Sequence, residues 1–353
     1  MTRIRVRDTG LNLGDLDPGP HNAITDVKGV GVGHYTLIEG ESIRTGVTAI
    51  TPHQGNIFED RVTAAVDIIN GYGKSVGLPQ ILFEGKIETP IMLTETLNTY
   101  LVADALIDYT SERLGVRVKS LNSVVGETNG GYLTDNFLRV IGKDQVFKAI
   151  DESRSSSGTQ KVGEGNVGGG TPMTGYSFKG GIGTSSRLIG EAVVGVLVQL
   201  NCGVKEDLII SGVPVGKEIV MPEPDNSPGN SIMMIVATNV ALESRQLWKI
   251  AKRTVHGLAR TGAYSGNGSG DFSISFTTGT LEVEDFKLSY DELGDLEGDR
   301  FLNPLYKATV EATEESILNA LFMAETMSGV EGNTRFELPI DETMRVLERY
   351  NRI

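Results

Sequence analysis

The sequence predicts a single α/β domain in which sheets and helices form layers. Strand-like and helix-like segments alternate along all 353 residues, and no Pro/Ser-rich linker separates two parts, so we expect one domain over 1–353. Hydrophobic residues make up 39% of the chain, which is typical of a folded globular protein. The segment 192–200 is nearly all apolar, as in a strand buried on both faces.

Five segments have the pattern of strands. The alternation of Phe272, Ile274 and Phe276 with hydroxyl-bearing residues indicates a half-buried strand over 272–277. The other predicted strands are 46–50, 123–125, 192–200 and 232–237.

Four segments have the pattern of helices, and the clearest is 244–260. There Leu247, Ile250 and Leu258 recur at helical spacing, and Gly262 follows as a stop. The other predicted helices are 61–70, 93–114 and 308–326. The Gly/Ser-rich stretch 153–170 is predicted to be a long loop, and loops of that length are often functional.

Composition excludes several classes of function. The net charge of −14 argues against nucleic acid or an anionic membrane as a partner. No apolar run reaches about 18 residues, so no transmembrane helix is expected. The first residues lack the pattern of a secretory signal. The single cysteine, Cys202, cannot form an internal disulfide, which fits a cytoplasmic protein.

Metal and nucleotide sites are not expected. The four histidines are scattered, and none pairs with another at helical spacing, so no metal site is predicted. The stretch 163–168 fits G-x-G-x-x-G by its letters. A dinucleotide site also needs a strand before these glycines and a helix after them, and neither is present in the pattern.

The stretch 266–271, Gly-Asn-Gly-Ser-Gly-Asp, joins the helical pattern to the strand pattern. Its Ser269 stands between two glycines, which allow backbone angles that other residues avoid. The hydroxyl of Ser269 could attack the carbonyl of Gly268 and free Ser269 as a new N-terminus. The free α-amine, with a pKa of roughly 7.7–8.0, would then act as the base without any histidine. The alternative is an ordinary Gly-rich turn with a solvated serine.

The chain as a whole resembles a known family. Seven stretches carry the resemblance, in order along the chain: 22–34, 125–133, 178–187, 198–201, 212–216, 266–271 and 311–315. The sequence is similar to the DmpA-like L-aminopeptidase/D-esterases and β-peptidyl aminopeptidases, which form peptidase family S58. These are self-processing N-terminal-nucleophile hydrolases.

The resemblance implies a fold and a maturation. The fold is a four-layer α/β/β/α sandwich of the DmpA/ornithine acetyltransferase-like kind, with Ser269 at the start of a central strand. Cleavage between Gly268 and Ser269 would give an α fragment of residues 1–268 and a β fragment of residues 269–353. The resemblance further implies no metal or organic cofactor, and a homo-oligomer, a tetramer of cleaved pairs.

The resemblance also implies an oxyanion site. It suggests the side-chain amide of Asn201 and the backbone N–H of Leu121 as donors, and Tyr132 as a hydroxyl near the nucleophile. From the residues alone, Asn201 reads as a turn former after a strand, and Tyr132 as an ordinary tyrosine. Asn239, which also follows a strand, is the reserve for Asn201.

Acidic residues complete the predicted site. Thr313 and Glu315 match a Ser/Thr-x-Glu element that positions the amine of the nucleophile in the family. Residues two apart on a helix do not share a face, so a solvated helical face is the alternative. Glu127 is the candidate for binding the free amino group of a substrate.

The sequence thus predicts an aminopeptidase that removes N-terminal residues from short peptides, amino-acid amides or esters, with D- and β-amino acids among the candidates. One rival is an acyl transferase resembling ornithine acetyltransferase, which uses a threonine nucleophile and would transfer the acyl group to a second amine. The other rival is a non-catalytic homologue that binds a ligand, which would show no turnover.

Overall fold

Two β-sheets form the centre of the molecule. The computed structural model describes residues 3–155, 161–220, 230–289 and 298–353. The strands are β1 (Gly31–Glu39), β2 (Ile43–Thr51), β3 (Val62–Gly71), β4 (Lys86–Ile87), β5 (Ile91–Glu95), β6 (Val124–Thr128), β7 (Thr174–Gly175), β8 (Phe178–Lys179), β9 (Gly181–Ile189), β10 (Ala192–Leu200), β11 (Ile232–Val240), β12 (Gly270–Leu281), β13 (Met327–Ser328) and β14 (Thr334–Arg335).

The helices of the described ranges lie around these sheets. They are α1 (Leu78–Glu84), α2 (Thr99–Glu112), α3 (Lys143–Ser155), α4 (Val215–Glu218), α5 (Ser244–Ala251), α6 (Thr254–Arg260), α7 (Val283–Ser289), α8 (Leu302–Phe322) and α9 (Ile340–Arg349). Within the described ranges, no helix is long and apolar enough to cross a membrane.

The layers run helix, sheet, sheet, helix. One sheet has the order β1-β2-β5-β6, and the other has the order β4-β3-β12-β11-β10-β9. Helices α2 and α3 pack on the first sheet, and α5 and α8 pack on the second. The prediction of a four-layer α/β/β/α sandwich is therefore confirmed.

Alternating side chains divide the core into three parts. Along β11, Met233 and Ile235 point between the two sheets, whereas Met234 and Val236 point toward the outer helices of the second sheet. A third cluster lies between the first sheet and helices α2 and α3. Strands buried on both faces read as continuous apolar runs, which is why β10 and β11 were predictable.

Strand β12 is more buried than its pattern predicts. Phe272, Ile274 and Phe276 face the other sheet, as expected. Ser273 and Ser275 are also fully buried, and the hydroxyl of Ser275 donates to the carbonyl of Leu247 in α5 at 2.8 Å. The prediction of a half-buried strand was wrong because these hydroxyls lie under helices instead of in solvent.

Several predicted helices differ from the structure. Residues 61–70 form strand β3, which pairs with β12. The predicted helix 93–114 begins in strand β5 and turns helical at Thr99, and 244–260 divides into α5 and α6. Helix α8 begins and ends earlier than the predicted 308–326. In the predicted loop 153–170, α3 extends to Ser155, and 156–160 lie outside the described residues.

One edge of the sandwich gathers the ends of several strands. Strand β10 ends there at Leu200, and the antiparallel β11 begins there opposite it. Strand β12 runs parallel to β11 and begins beside it, with Asp271 level with Ile232. Polar residues that come just after β10 and just before β11 and β12 are thereby brought together.

Candidate active site

Three neighbouring strands place Asn201, Ser231 and Ser269 side by side. The backbone N–H of Asn201 donates to the carbonyl of Ser231 at 3.1 Å. The N–H of Gly270 donates to the hydroxyl oxygen of Ser231 at 3.2 Å. Ser231 therefore lies between the asparagine of β10 and the serine that precedes β12.

Ser269 is held in a tight turn and is 3% exposed. Its N–H donates to the carbonyl of Gly266 at 3.0 Å, and its carbonyl accepts from the side-chain amide of Asn70 at 2.8 Å. Gly268 has a φ of 95° and supplies the left-handed backbone of this turn, at no steric cost to a glycine.

The hydroxyl of Ser269 donates to Asp271 at 2.6 Å. Burial raises the pKa of the Asp271 carboxyl, and the hydrogen bond from Ser269 opposes that rise. The second carboxyl oxygen of Asp271 is buried and has no hydrogen-bond partner in the described part of the chain. Serine and aspartate thus form a polar pair that touches Ser231 through the intervening Gly270.

A cavity of about 580 Å³ opens at this edge. Ser231 and Gly268 both line this cavity, whereas Ser269 does not. Its walls also include Lys74, Glu127, Asn129, Tyr132, Thr174, Asn201 and Arg335. The cavity brings together the predicted residues Tyr132, Asn201 and Glu127, and Ser231 lines it beside Asn201.

The Asn201 side chain is fixed at both ends of its amide. Its oxygen accepts from the N–H of Thr174 at 2.8 Å, and its nitrogen donates to the carbonyl of Asn129 at 3.0 Å. An amide nitrogen carries two hydrogens, so one bond to Asn129 leaves the second for a group in the cavity. That second hydrogen can serve a developing oxyanion next to Ser231.

One carboxylate, Glu127, lines the cavity, and a second, Glu95, lies on the next strand. Glu127, at the end of β6, is buried and accepts the backbone N–H of Lys74 at 2.7 Å. Glu95 lies on the neighbouring strand, and burial, with a contribution from the charge of Glu127, raises its pKa to about 7. A buried carboxylate at this position can bind an ammonium group.

Tyr132 lies in the wall as part of a stacked pair. The guanidinium carbon of Arg335 is 3.6 Å from the centre of the Tyr132 ring. Arg335 is fully buried, and it donates to the hydroxyl of Thr174 at 3.1 Å. The tyrosine is therefore ordered by a cation–π contact in the cavity wall.

A second cavity of about 300 Å³ lies on the other side of Ser269. Its lining includes Cys202, Asp207, Ser269 and Asp271, and it shares Asn230 with the larger cavity. The two cavities therefore meet at the residue that precedes Ser231.

Thr313 and Glu315 do not lie at this site. The hydroxyl of Thr313 donates to the carbonyl of Thr309 inside α8. Glu315 forms an ion pair with Arg187 at 2.7 Å. The strand register places Arg187 level with Thr277 of β12, which is eight residues along the strand from Ser269. At about 3.3 Å per residue, that row is roughly 25 Å away, so the predicted amine-positioning role is not supported.

Two other predicted donors are also remote. Leu121 precedes β6, at the opposite end of the strand from Glu127, so its N–H is far from Ser231 and Ser269. Asn239 lies near the far end of β11, where its amide bonds the backbone of Val193 and Glu191. Of the two candidate asparagines, only Asn201 faces the cavity.

Sequence reasoning missed Ser231 and Asp271. The signal for Ser231 is its place between the Pro/Gly-rich segment 221–230 and the start of the apolar run 232–237. The signal for Asp271 is its spacing from Ser269, a hydroxyl residue two positions before a carboxylate. This pair resembles the implied Ser/Thr-x-Glu element and lies at the start of a strand, unlike Thr313 and Glu315, which lie in the middle of a helix.

Comparisons with known proteins show the family of the chain. The model of "Peptidase family S58" matches residues 22–335. The chain is 37% identical to the beta-peptidyl aminopeptidase BapA of Sphingosinicella xenopeptidilytica, over 98% of this chain and 91% of that protein.

Solved structures share the fold over nearly the whole chain. A protein from Pyrococcus horikoshii OT3 is 43% identical with a TM-score of 0.87, over 99% of this chain and 100% of the other. The L-aminopeptidase D-Ala-esterase/amidase of Ochrobactrum anthropi, described as a variant of the Ntn hydrolase fold, is 34% identical with a TM-score of 0.85, over 99% of both chains. The chain belongs to peptidase family S58.

Proposed function

We propose that this protein is an aminopeptidase whose nucleophile is a serine that the chain frees as a new N-terminus by cutting itself. The proposal rests on one observation above all: a serine at the start of a central strand lines a cavity together with an amide donor and a buried carboxylate. The substrates are short peptides, amino-acid amides or esters, with D- and β-amino acids among the candidates.

Two serines compete for the role of nucleophile, and we favour Ser231 over the sequence-based choice, Ser269. Ser231 is the direct neighbour of Asn201 and lines the larger cavity. Ser269 is one strand further away, and its hydroxyl is bonded to Asp271. In this arrangement Ser269 and Asp271 support the nucleophile as a hydroxyl–carboxylate pair.

The reaction uses the same groups twice. In maturation, the hydroxyl of Ser231 attacks the carbonyl of Asn230, the acyl group shifts from nitrogen to oxygen, and water hydrolyses the ester. The freed α-amine then acts as the base that takes the proton from the hydroxyl. During turnover, Asn201 stabilises the oxyanion and Glu127 binds the substrate ammonium, with Tyr132 in the cavity wall.

Intact mass of the purified protein decides between the serines. Cleavage before Ser231 gives fragments of 230 and 123 residues, whereas cleavage before Ser269 gives 268 and 85. We expect the first pair in the wild type and a single uncut chain in Ser231→Ala. The second pair of masses would establish Ser269 instead, and an uncut wild-type chain would contradict self-cleavage.

Turnover separates the aminopeptidase from its rivals. We expect release of the chromophore from aminoacyl p-nitroanilides, with and without a β-amino acid, and no release by Ser231→Ala. Acyl transfer to an added amine with no hydrolysis would favour the acyl transferase. Absence of turnover in a correctly cleaved protein would favour the binding homologue.

The assembly and location of the protein follow the resemblance. We propose a homo-oligomer, a tetramer of cleaved α/β pairs, that acts in the cytoplasm without a cofactor, a nucleic acid or a membrane as partner. Sedimentation of the cleaved protein tests the assembly, since a species with the mass of one pair would contradict it.

A further inference from the structure

Lys179 has a buried side-chain amine next to the candidate active site. Its side chain is fully buried, and its nitrogen donates to the carbonyls of Gly170, Met173 and Gly180 at 3.1, 3.0 and 2.7 Å. Three acceptors match the three N–H donors of an ammonium group. In the described part of the chain no carboxylate forms an ion pair with it, and burial lowers the pKa of the Lys179 amine well below its usual value, so the three carbonyls are what hold the amine in place.

The carbonyls that bind Lys179 belong to the segment that orients Asn201. Met173 immediately precedes Thr174, whose N–H donates to the amide oxygen of Asn201 at 2.8 Å. Thr174 and Lys179 face each other in the β7–β8 hairpin, and the N–H of Gly180 closes it on the carbonyl of Met173 at 2.9 Å. Lys179 therefore ties together both ends of the hairpin that holds this N–H.

Orientation of the Asn201 amide decides where its free hydrogen points. The bond from Thr174 fixes the oxygen, and the bond to Asn129 fixes one hydrogen. Displacing catalytic groups by about 1 Å can cost about 100-fold in rate. A shift of the Met173–Thr174 peptide would turn the amide away from the oxyanion.

We propose that Lys179 is a positioning residue that, through the Met173–Thr174 peptide, aims the Asn201 amide at the oxyanion. This inference rests on the proposed role of Asn201 in the aminopeptidase reaction. Lys179 contacts the backbone of this hairpin and acts on the reaction only through Asn201.

Replacement of Lys179 by methionine tests the inference. We expect Lys179→Met to lower kcat by about 10- to 100-fold and to slow self-cleavage, with KM changed by less than about threefold, because an oxyanion donor acts mainly in the transition state. Lys205→Met is the matched control, since Lys205 also binds two carbonyls, of Gly216 and Ile219, and we expect its kcat to stay near the wild-type value.

A double-mutant cycle distinguishes positioning from a general structural role. If Lys179 acts through Asn201, Lys179→Met costs less than about threefold in kcat in an Asn201→Ala background. Fully additive losses, or a wild-type kcat in folded Lys179→Met, would overturn the inference. Should Lys179→Met fail to fold, Lys179→Gln keeps two donors and enters the same cycle.

The outcomes also separate this inference from the proposed function. A wild-type chain that neither cuts itself nor hydrolyses an aminoacyl substrate contradicts the proposed function. An active wild type with a damaged Asn201→Ala and an unaffected Lys179→Met contradicts the inference alone.

Discussion

At the scale of single residues, the site depends on which polar atoms are fixed and which are free. Asn201 has two of its amide positions bound by the backbone and turns the remaining hydrogen toward the cavity. Asn239, in a similar place in the sequence, has its amide used by the backbone of β10 and its turn. The same residue type near the end of a strand can thus present a free amide hydrogen to a cavity or be used entirely by the backbone.

Replacing Asn201 by alanine removes the proposed oxyanion donor. We expect kcat to fall by about 10²- to 10³-fold, the usual loss for such a donor, with a much smaller change in KM. Steady-state kinetics on the cleaved enzyme measure it. Asn239→Ala is the matched control, and a larger loss of kcat there than in Asn201→Ala would reverse the assignment.

The family resemblance, more than the residue patterns, pointed to the residues of the cavity wall. Asn201, Glu127 and Tyr132 converge on the cavity, since each lies near or beyond the end of a strand at the same edge. Ser269 attracted attention because glycines flank it, yet a turn with that freedom also suits a supporting serine. Ser231 is not flanked by glycines, and only the register of three strands shows that it lies beside Asn201.

At the scale of secondary-structure elements, helix α8 carries a buried ion network. Glu315 is fully buried between Arg187 and Arg7, and the amide of Asn22 also donates to it. Burial tends to raise the pKa of Glu315, but the hydrogen bond from Arg7 and the charge of Arg187 hold it below its usual value. The network ties the N-terminal segment to α8 and β9.

Glu315→Gln tests whether this pair is structural. We expect a loss of about 3 kcal/mol in the free energy of unfolding, because the buried Arg187 and the partly exposed Arg7 lose a charged partner, with kcat of the folded enzyme unchanged. Glu314→Gln is the control on the same helix, as Glu314 pairs with the half-exposed Arg260, and it should cost less than about 1 kcal/mol. A fall in kcat at full stability would return Glu315 to the catalytic machinery.

Strand β1 contains a histidine that makes stability depend on pH. Burial lowers the pKa of His34 from 6.5 to about 4, although a backbone contact with Gly163 opposes this. The folded state thus keeps His34 neutral in a range where the unfolded chain binds a proton. Its contribution to stability is present above pH 6.5 and is lost as pH falls toward 4.

Denaturant unfolding between pH 7 and pH 4 measures this dependence. We expect His34→Gln to flatten the decline in stability by on the order of 2 kcal/mol relative to the wild type. His256 is exposed, so His256→Gln should keep the wild-type slope. Equal slopes for the wild type and His34→Gln would show that other groups cause the decline.

Secondary-structure elements were predictable where an apolar run had both the burial pattern and the length of a strand. Strand β10 has the bounds that its apolar run predicts, 192–200. Strand β3 was mistaken for a helix because Val62, Ala65, Val66 and Ile69 also fit helical spacing, and only its pairing with β12 decides the matter. Tertiary pairing is information that a single segment does not contain.

At the scale of the whole molecule, the two proposed fragments are interwoven. Strand β11, which would begin the second fragment, lies between β10 of the first fragment and β12 of its own. Strand β3 of the first fragment pairs with the other side of β12. Each fragment therefore completes the central sheet of the other.

The cleaved fragments should stay together without a covalent bond. We expect both to elute as one species in native size-exclusion chromatography and to separate only in denaturant, because the interface is a continuous sheet with a buried core on each face. Mass spectrometry of the eluted peak identifies its components. Separation of the fragments in native buffer would contradict this interleaving.

Because of the position of β11, refolding of the cut protein would differ from the first folding of the uncut chain. An uncut chain folds as one molecule, so its folding does not depend on protein concentration. If the chain is cut as proposed, unfolding releases two chains, and reassembly must insert the β11–β12 pair of one between β3 and β10 of the other in a second-order reaction. The working lifetime of the cut protein would then be set by its rate of unfolding, because only the uncut precursor folds as a single chain.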